Sequence, residues 1–297
     1  MNPIPPRNLQ PIVDALTVDV EEHFQVSAFE GAVRREDWDR LPSRVEANTA
    51  RILDVCGEAG VRATFFVLGW IAERHPGLVR RIAADGHEIA CHGYSHDLVH
   101  TQSEARFREE TARSKALLED VGGVPVIGYR AASFSIRAST LWAAEVLVDL
   151  GFAYDSSLYP VVHDRYGIPG APRHPYLLRT PGGRQIVEVP PSTIRVAGIT
   201  LPVAGGGYLR LYPLAFTRWA IDRIHRRDGM PAVIYVHPWE TDPDQPRMNG
   251  PLLSRMRHYV GLRTTVPKLR SLAGCLRLAP MRELVASAAG LREVSPA

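Results

Sequence analysis

Two histidines four positions apart, His92 and His96 in H-G-Y-S-H, directly follow a short apolar run, Glu88 to Cys91. If the segment turns through a helical bend, both imidazoles can converge on one ion, and neutral imidazole is a common zinc ligand. The plainer alternative is a pair of surface histidines in a stretch that also holds His87 and His100. HxxxH by itself leaves that alternative ahead. An oxygen ligand is offered by T-V-D-V-E-E, where alternation along a strand turns Asp19 and Glu21 to one side and Val20 to the other. Read alone, such acids are solvated strand-end residues; read with the histidines, they suit one metal ligand and one base.

Three more side chains stand at the ends of apolar runs. Arg130, in G-Y-R-A-A-S-F, could hold a carboxylate through two hydrogen bonds and keep it ionised, or could be a simple surface arginine. His237, in A-V-I-Y-V-H-P-W-E, titrates where protonation of a leaving amine is needed near neutral pH; a buried structural histidine is the competing reading. Asp155, in Y-D-S-S, could accept the other imidazole hydrogen and fix the tautomer, or could be a turn residue. Tyr129, Phe134, Tyr208 and Trp239 offer apolar faces for a sugar ring, although aromatic residues more often simply pack.

The elements that must carry these residues alternate. Strand patterns at 12–20, 63–68, 87–91, 126–129 and 152–154 interleave with helical patterns at 44–59, 71–84, 104–120 and 140–150. Repeated β then α predicts an α/β fold with a parallel sheet or barrel, whose reacting groups sit after the carboxyl ends of the strands. From Pro160 to Pro213 the texture becomes rich in Pro and Gly, with a hairpin expected at Gly182-Gly183. We read 160–212 as an insertion in a single catalytic domain spanning 1–297. The pattern then resumes with a helix at 214–226, a strand at 232–236, a helix at 265–272, a strand at 275–278 and a helix at 281–288, a C-terminal extension that completes the barrel.

Composition excludes several classes. The 297 residues carry 35 Lys and Arg against 32 Asp and Glu, a net charge of +3 with no basic block, so nucleic acid is not an expected partner. No stretch approaches the ~20 apolar residues of a membrane span, and the first twenty residues lack a basic start followed by an apolar run. A cytoplasmic location is the resulting expectation. Three scattered cysteines without CxxC argue against a disulfide framework.

The order and spacing of these segments resemble the polysaccharide deacetylases of the NodB-homology type, carbohydrate esterase family four. The resemblance runs through T-V-D-V-E at 17–21, T-F-F-V-L-G at 64–69, H-E-I-A-C-H-G-Y-S-H at 87–96, Y-R-A-A-S-F at 129–134, Y-D-S-S at 154–157 and V-H-P-W-E at 236–240. D-V-E-E-H-F together with H-P-W-E-T-D-P is similar to a subgroup encoded with exopolysaccharide biosynthesis and exosortase systems.

The resemblance implies a distorted (β/α)7-type barrel and a divalent ion, commonly zinc, held by His92, His96 and an acid of the first motif. It further implies Asp19 as general base paired with Arg130, and His237 as general acid oriented by Asp155. The family's first motif has two adjacent aspartates, whereas here Val20 intervenes, so Glu21 becomes the metal ligand if Asp19 is the base, and the reverse division stays open. Gly93 and Asp97 also depart from the usual second motif. The implied substrate is an N-acetylated glycan or a lipid- or nucleotide-linked sugar precursor, and assembly into a homo-oligomer is left open. Rival readings are hydrolysis of a small cyclic amide, as in the related allantoinase-like enzymes, and a non-catalytic glycan-binding protein.

Overall fold

A computed structural model describes residues 12–163, 166–287 and 290–294; the segment 1–11 and Ala288, on which part of the N-terminal and last-helix expectations fell, lie outside the described residues. In chain order the structure has β1 (Asp14–Val20), α1 (Val45–Ala59), β2 (Thr64–Val67), α2 (Gly69–Arg74), α3 (Pro76–Ala84), β3 (Glu88–Cys91), α4 (Glu104–Gly122), β4 (Gly128–Tyr129), α5 (Trp142–Asp149) and β5 (Tyr154–Asp155). Then follow β6 (Tyr176–Arg179), β7 (Gln185–Glu188), β8 (Thr193–Val196), β9 (Ile199–Pro202), α6 (Gly206–Leu211), α7 (Leu214–Arg223) and β10 (Val233–Val236). The chain closes with α8 (Leu252–Tyr259), α9 (Thr265–Ala273), β11 (Leu278–Ala279), α10 (Met281–Ala286) and β12 (Glu293–Val294).

Seven strands, in the order β10-β1-β2-β3-β4-β5-β7, are parallel throughout. This is the α/β architecture of a distorted seven-stranded barrel. Between β7 and β10 the ring is bridged by loop residues: the Val233 amide donates to Ser192 Oγ at 2.7 Å and the Tyr235 amide to the Ala204 carbonyl at 3.0 Å. The segment 160–212, read from sequence as an insertion, therefore supplies the seventh barrel strand and the bridge to β10. Its hairpin, β6 to β7, turns at 180–184 as expected.

Side-chain alternation divides the core into two layers. Leu16, Val18 and Val20 of β1 face the helices with Phe65, Val67, Ile89, Cys91, Ile234 and Val236. Ala15, Phe66, Ala90, Tyr154 and Val233 fill the barrel interior, closed from below by Met281 and Leu284 of α10. The helix expected across 71–84 is broken into α2 and α3 at His75, where φ −126° and ψ 54° are not helical. Pro76 imposes the break, because its ring disfavours a helical residue before it. No helix among the described residues is long and apolar enough to cross a membrane.

Candidate active site

The interior-facing positions at the carboxyl ends of the strands converge on one cavity of about 340 Å³, whose wall includes Asp19, Glu21, His92, His96, His237 and Trp239. Parity explains which residues arrive. On β1, Ala15, Thr17 and Asp19 share the interior side, and Arg130 and His237 continue the interior-facing rows of Gly128 and of Val233 and Tyr235.

One ligand-bearing atom from each of Glu21, His92 and His96 lies within 4.8 Å of the others, all three residues being buried. His92 Nδ1 lies 2.8 Å from the Arg130 carbonyl, so Nδ1 carries the hydrogen and Nε2 keeps its lone pair. Burial pushes the His92 imidazole down to about 4, favouring the neutral form that a metal needs. Glu21 Oε1 accepts a hydrogen bond from Trp239 Nε1 at 2.9 Å. Its Oε2 lies 2.6 Å from His96 Nε2 and accepts no other hydrogen bond. A carboxylate oxygen and an imidazole nitrogen this close share either a proton or a cation, and an N, N, O donor set suits zinc. Burial opposes the charge on Glu21, but the imidazoles, His96 foremost, outweigh it and hold the carboxyl well below its usual range.

The H-G-Y-S-H segment makes no helical turn. Gly93 (φ 78°) and His96 (φ 57°) adopt left-handed conformations, and these reverse the chain so that both rings face Glu21. Ser133 and Phe134, also on the cavity wall, add φ values of 50° and 51°. Such strain in non-glycine residues is retained where surrounding contacts enforce it, and clusters at functional sites. Asp97, the departure from the family pattern, anchors the loop by accepting from Arg106 Nη2 at 2.7 Å and pairing with Arg35.

Across the cavity, fully buried Arg130 donates from Nη1 to Asp19 Oδ1 at 2.6 Å and to Thr17 Oγ1 at 2.8 Å, and from Nη2 to Ser156 Oγ at 2.9 Å. The expected double hydrogen bond to one carboxylate is thus spread over three partners. His237 Nε2 stands 3.8 Å from both Asp19 Oδ2 and Glu21 Oε1.

Asp155 does not orient His237. It belongs to the outward-facing row of β5, opposite in parity to Tyr154, where Ser157 Oγ donates to it and Glu188 is its cross-strand neighbour. Glu240 takes the place expected for Asp155: its Oε2 accepts the His237 amide at 2.9 Å and lies 3.3 Å from Nδ1, close for charge though off line for a hydrogen bond. Arg210 Nε donates to Glu240 Oε1 at 2.7 Å, and its other nitrogens are held by the carbonyls of Arg257, His258 and Val260. Burial opposes the imidazolium of His237, but Glu240, then Glu21 and Asp19, outweigh it and lift His237 to about 9.

Tyr129 is likewise turned away, buried among Phe107 and Phe152 on the helix side of β4, because its neighbour Arg130 takes the interior position. Trp239 is in the wall but buried, its N–H committed to Glu21 and its ring stacked on His258 with centroids 4.1 Å apart. The aromatic surface that does face the cavity comes from Phe134, Tyr166, Tyr208 and Tyr235. Sequence reasoning passed over Glu240 and Arg210; only the i, i+3 spacing of H-P-W-E hinted at the first.

Residues 37–153 match the family profile described as polysaccharide deacetylase, and 156–286 match a domain of unknown function, DUF3473. A chitooligosaccharide deacetylase of Rhizobium leguminosarum bv. trifolii is 43% identical over 100 residues, 33% of this chain and 43% of that protein. A peptidoglycan-N-acetylglucosamine deacetylase of Bacillus cereus is 39% identical over 75 residues, 25% of this chain and 27% of that protein. The chain thus matches less than half the length of either relative. Among solved structures, a Mycobacterium smegmatis protein assigned to the polysaccharide deacetylases superposes with a TM-score of 0.62 at 23% identity, covering 97% of this chain and 93% of that one. PuuE allantoinase superposes with a TM-score of 0.61 at 15% identity, covering 96% and 93%. Both likenesses are of fold.

Proposed function

We propose that the chain is a polysaccharide deacetylase of the NodB-homology type, whose family profile matches residues 37–153, and a metal-dependent hydrolase removing N-acetyl groups from the amino sugars of a polysaccharide or its precursor. The observation that carries this reading is the set of Glu21, His92 and His96 donor atoms within 4.8 Å of one another, facing Asp19 and His237 in one cavity. The relatives' names, chitooligosaccharide and peptidoglycan-N-acetylglucosamine deacetylase, supply the substrate class. Exopolysaccharide biosynthesis is the setting the sequence motifs suggest.

A divalent ion at the three residues, zinc in our reading, would polarise the acetyl carbonyl and acidify an attacking water. Asp19, which accepts a hydrogen bond from buried Arg130, would take a proton as general base. His237, flanked by Glu240, is placed to give a proton to the departing sugar nitrogen. Glu21 serves as ligand and Asp19 as base in this division, because Arg130 already engages Asp19 while Glu21 Oε2 faces the His96 imidazole. The two profile-matched regions act as one catalytic domain, since Glu21, His92 and His237 come from before, within and after the first of them.

The test is acetate release from N-acetylated chitooligosaccharides by metal-free, zinc-reconstituted and His92→Ala protein, with metal content measured in parallel. We expect zinc-dependent release, falling at least about a hundredfold in His92→Ala together with the bound metal. Bound zinc with no acetate released, but hydrolysis of a cyclic ureide, would replace this reading with the small-amide one.

A further inference from the structure

Helix α8 buries one residue, His258, out of eight. At 100° per residue, Ser254, Arg257 and His258 turn toward the cavity wall that they help to line, while Leu252, Leu253 and Met256 form a ridge on the opposite side. Those three are 71%, 56% and 60% exposed. Of the nine large apolar side chains exposed among the described residues, six belong to segments that also contribute to the cavity wall or adjoin it: this ridge, with Val162, Leu211 and Val260. Leu211 lines the cavity, Val162 adjoins the lining residue His163, and the Val260 carbonyl binds Arg210 at 2.6 Å.

Arg255 and Arg257 flank the ridge, and from Gln245 to Arg282 the chain carries eight arginines and lysines and no acid. Arg270 is paired with Glu58 and Lys268 with backbone carbonyls; Arg247, over the Tyr259 ring, Arg263, 4.0 Å from Asp244, and Arg255 and Arg257 lie exposed on or beside α8. A protein partner or second copy could cover the apolar ridge alone. An apolar ridge between cations, on a helix lying along the surface, matches the boundary of an anionic bilayer, where alkyl groups enter the acyl layer and guanidinium groups meet phosphate.

We propose that α8 and the rim of the cavity dock on an anionic membrane, with the cavity mouth held at the headgroup layer. Resting on the reading above, this makes the substrate an amino sugar presented at that surface, a glycan carried on a lipid. It also gives the DUF3473-matched half of the chain, to which every rim residue belongs, the task of placing the site.

The experiment is co-sedimentation of the full chain with vesicles of phosphatidylcholine, alone or mixed equally with phosphatidylglycerol. The triple variant Leu252→Ser, Leu253→Ser, Met256→Ser is run beside it, with melting temperature and hydrolysis of soluble N-acetylated chitooligosaccharide as folding controls. We expect binding to the anionic vesicles only, weakened by salt and reduced roughly tenfold or more in the triple variant, with melting and soluble hydrolysis unchanged. Equal binding by both proteins, or none by either, overturns the proposal. So does a dimer in lipid-free solution that the triple variant dissolves, which would make the ridge a contact between copies. Vesicle binding is scored whether or not acetate is released, so failure here is separable from failure of the deacetylase reading.

Discussion

Neutralising a buried charge and deleting a chemical role are different experiments, and the site residues divide on that point. Arg130 is fully buried with Asp19 as its carboxylate partner, so Asp19→Asn strands a buried cation, a loss of about 3–5 kcal/mol when one partner of such a pair is removed. Lost activity in that variant would therefore mix chemistry with unfolding. Glu240 is likewise paired with a buried cation, Arg210, but there the choice of substrate allows a cleaner separation. In the proposed reaction it is a positioning residue, acting through His237, and His237 matters only where the leaving group must be protonated. Glu240→Gln should lower amide hydrolysis on chitooligosaccharides by roughly a hundredfold or more while hydrolysis of 4-nitrophenyl acetate, whose phenolate leaves without a proton, stays within about threefold. Parallel loss on both substrates would show that Glu240 merely holds the loop together with Arg210.

At the scale of elements, strand parity decides the fate of each candidate. Asp19, Arg130 and His237 lie on interior rows, whereas Tyr129 and Asp155 lie one residue out of phase and face the helices. The displaced Asp155 pairs with Glu188 across β5 and β7 in a site without water-exposed surface. Burial raises the Asp155 carboxyl, and burial with the neighbouring Asp155 charge raises Glu188 well above the ordinary range. The folded chain therefore keeps protons that the unfolded chain gives up near pH ~4. The resulting stability is complete at lower pH and is lost as pH rises through the raised folded values. Urea unfolding of the wild type between about pH 4 and pH 7 should show this decline, and Glu188→Gln should flatten it; a profile that Glu188→Gln leaves unchanged would mean that the pair does not share this coupling.

For the whole molecule, the boundary between the two profile-matched regions falls at β5, in the middle of one continuous sheet. β1 is flanked by β10, and β5 by β7, so residues 1–153 alone would expose β1 and β4 edges and lack His237. Such a fragment should show no cooperative thermal transition by circular dichroism, whereas the full chain should melt in one step; a cooperative melt of the fragment would make the halves separate domains. Sequence by itself determined the alternation of β and α, because each element's period is written in its own apolar residues, and it determined the ordered motifs that carry the resemblance to the polysaccharide deacetylases. It also placed Asp19 and Glu21 on one face, since two-residue spacing is local to a strand. Tertiary structure decided what depends on neighbours distant in the chain: that β7 of the Pro- and Gly-rich segment joins the barrel, that Arg210 holds Glu240 beside His237, and that Trp239 secures Glu21. Left-handed residues at 93 and 96, which no helical or strand period predicts, bring the two histidines together only because Asp97, Arg35 and Arg106 pin their loop.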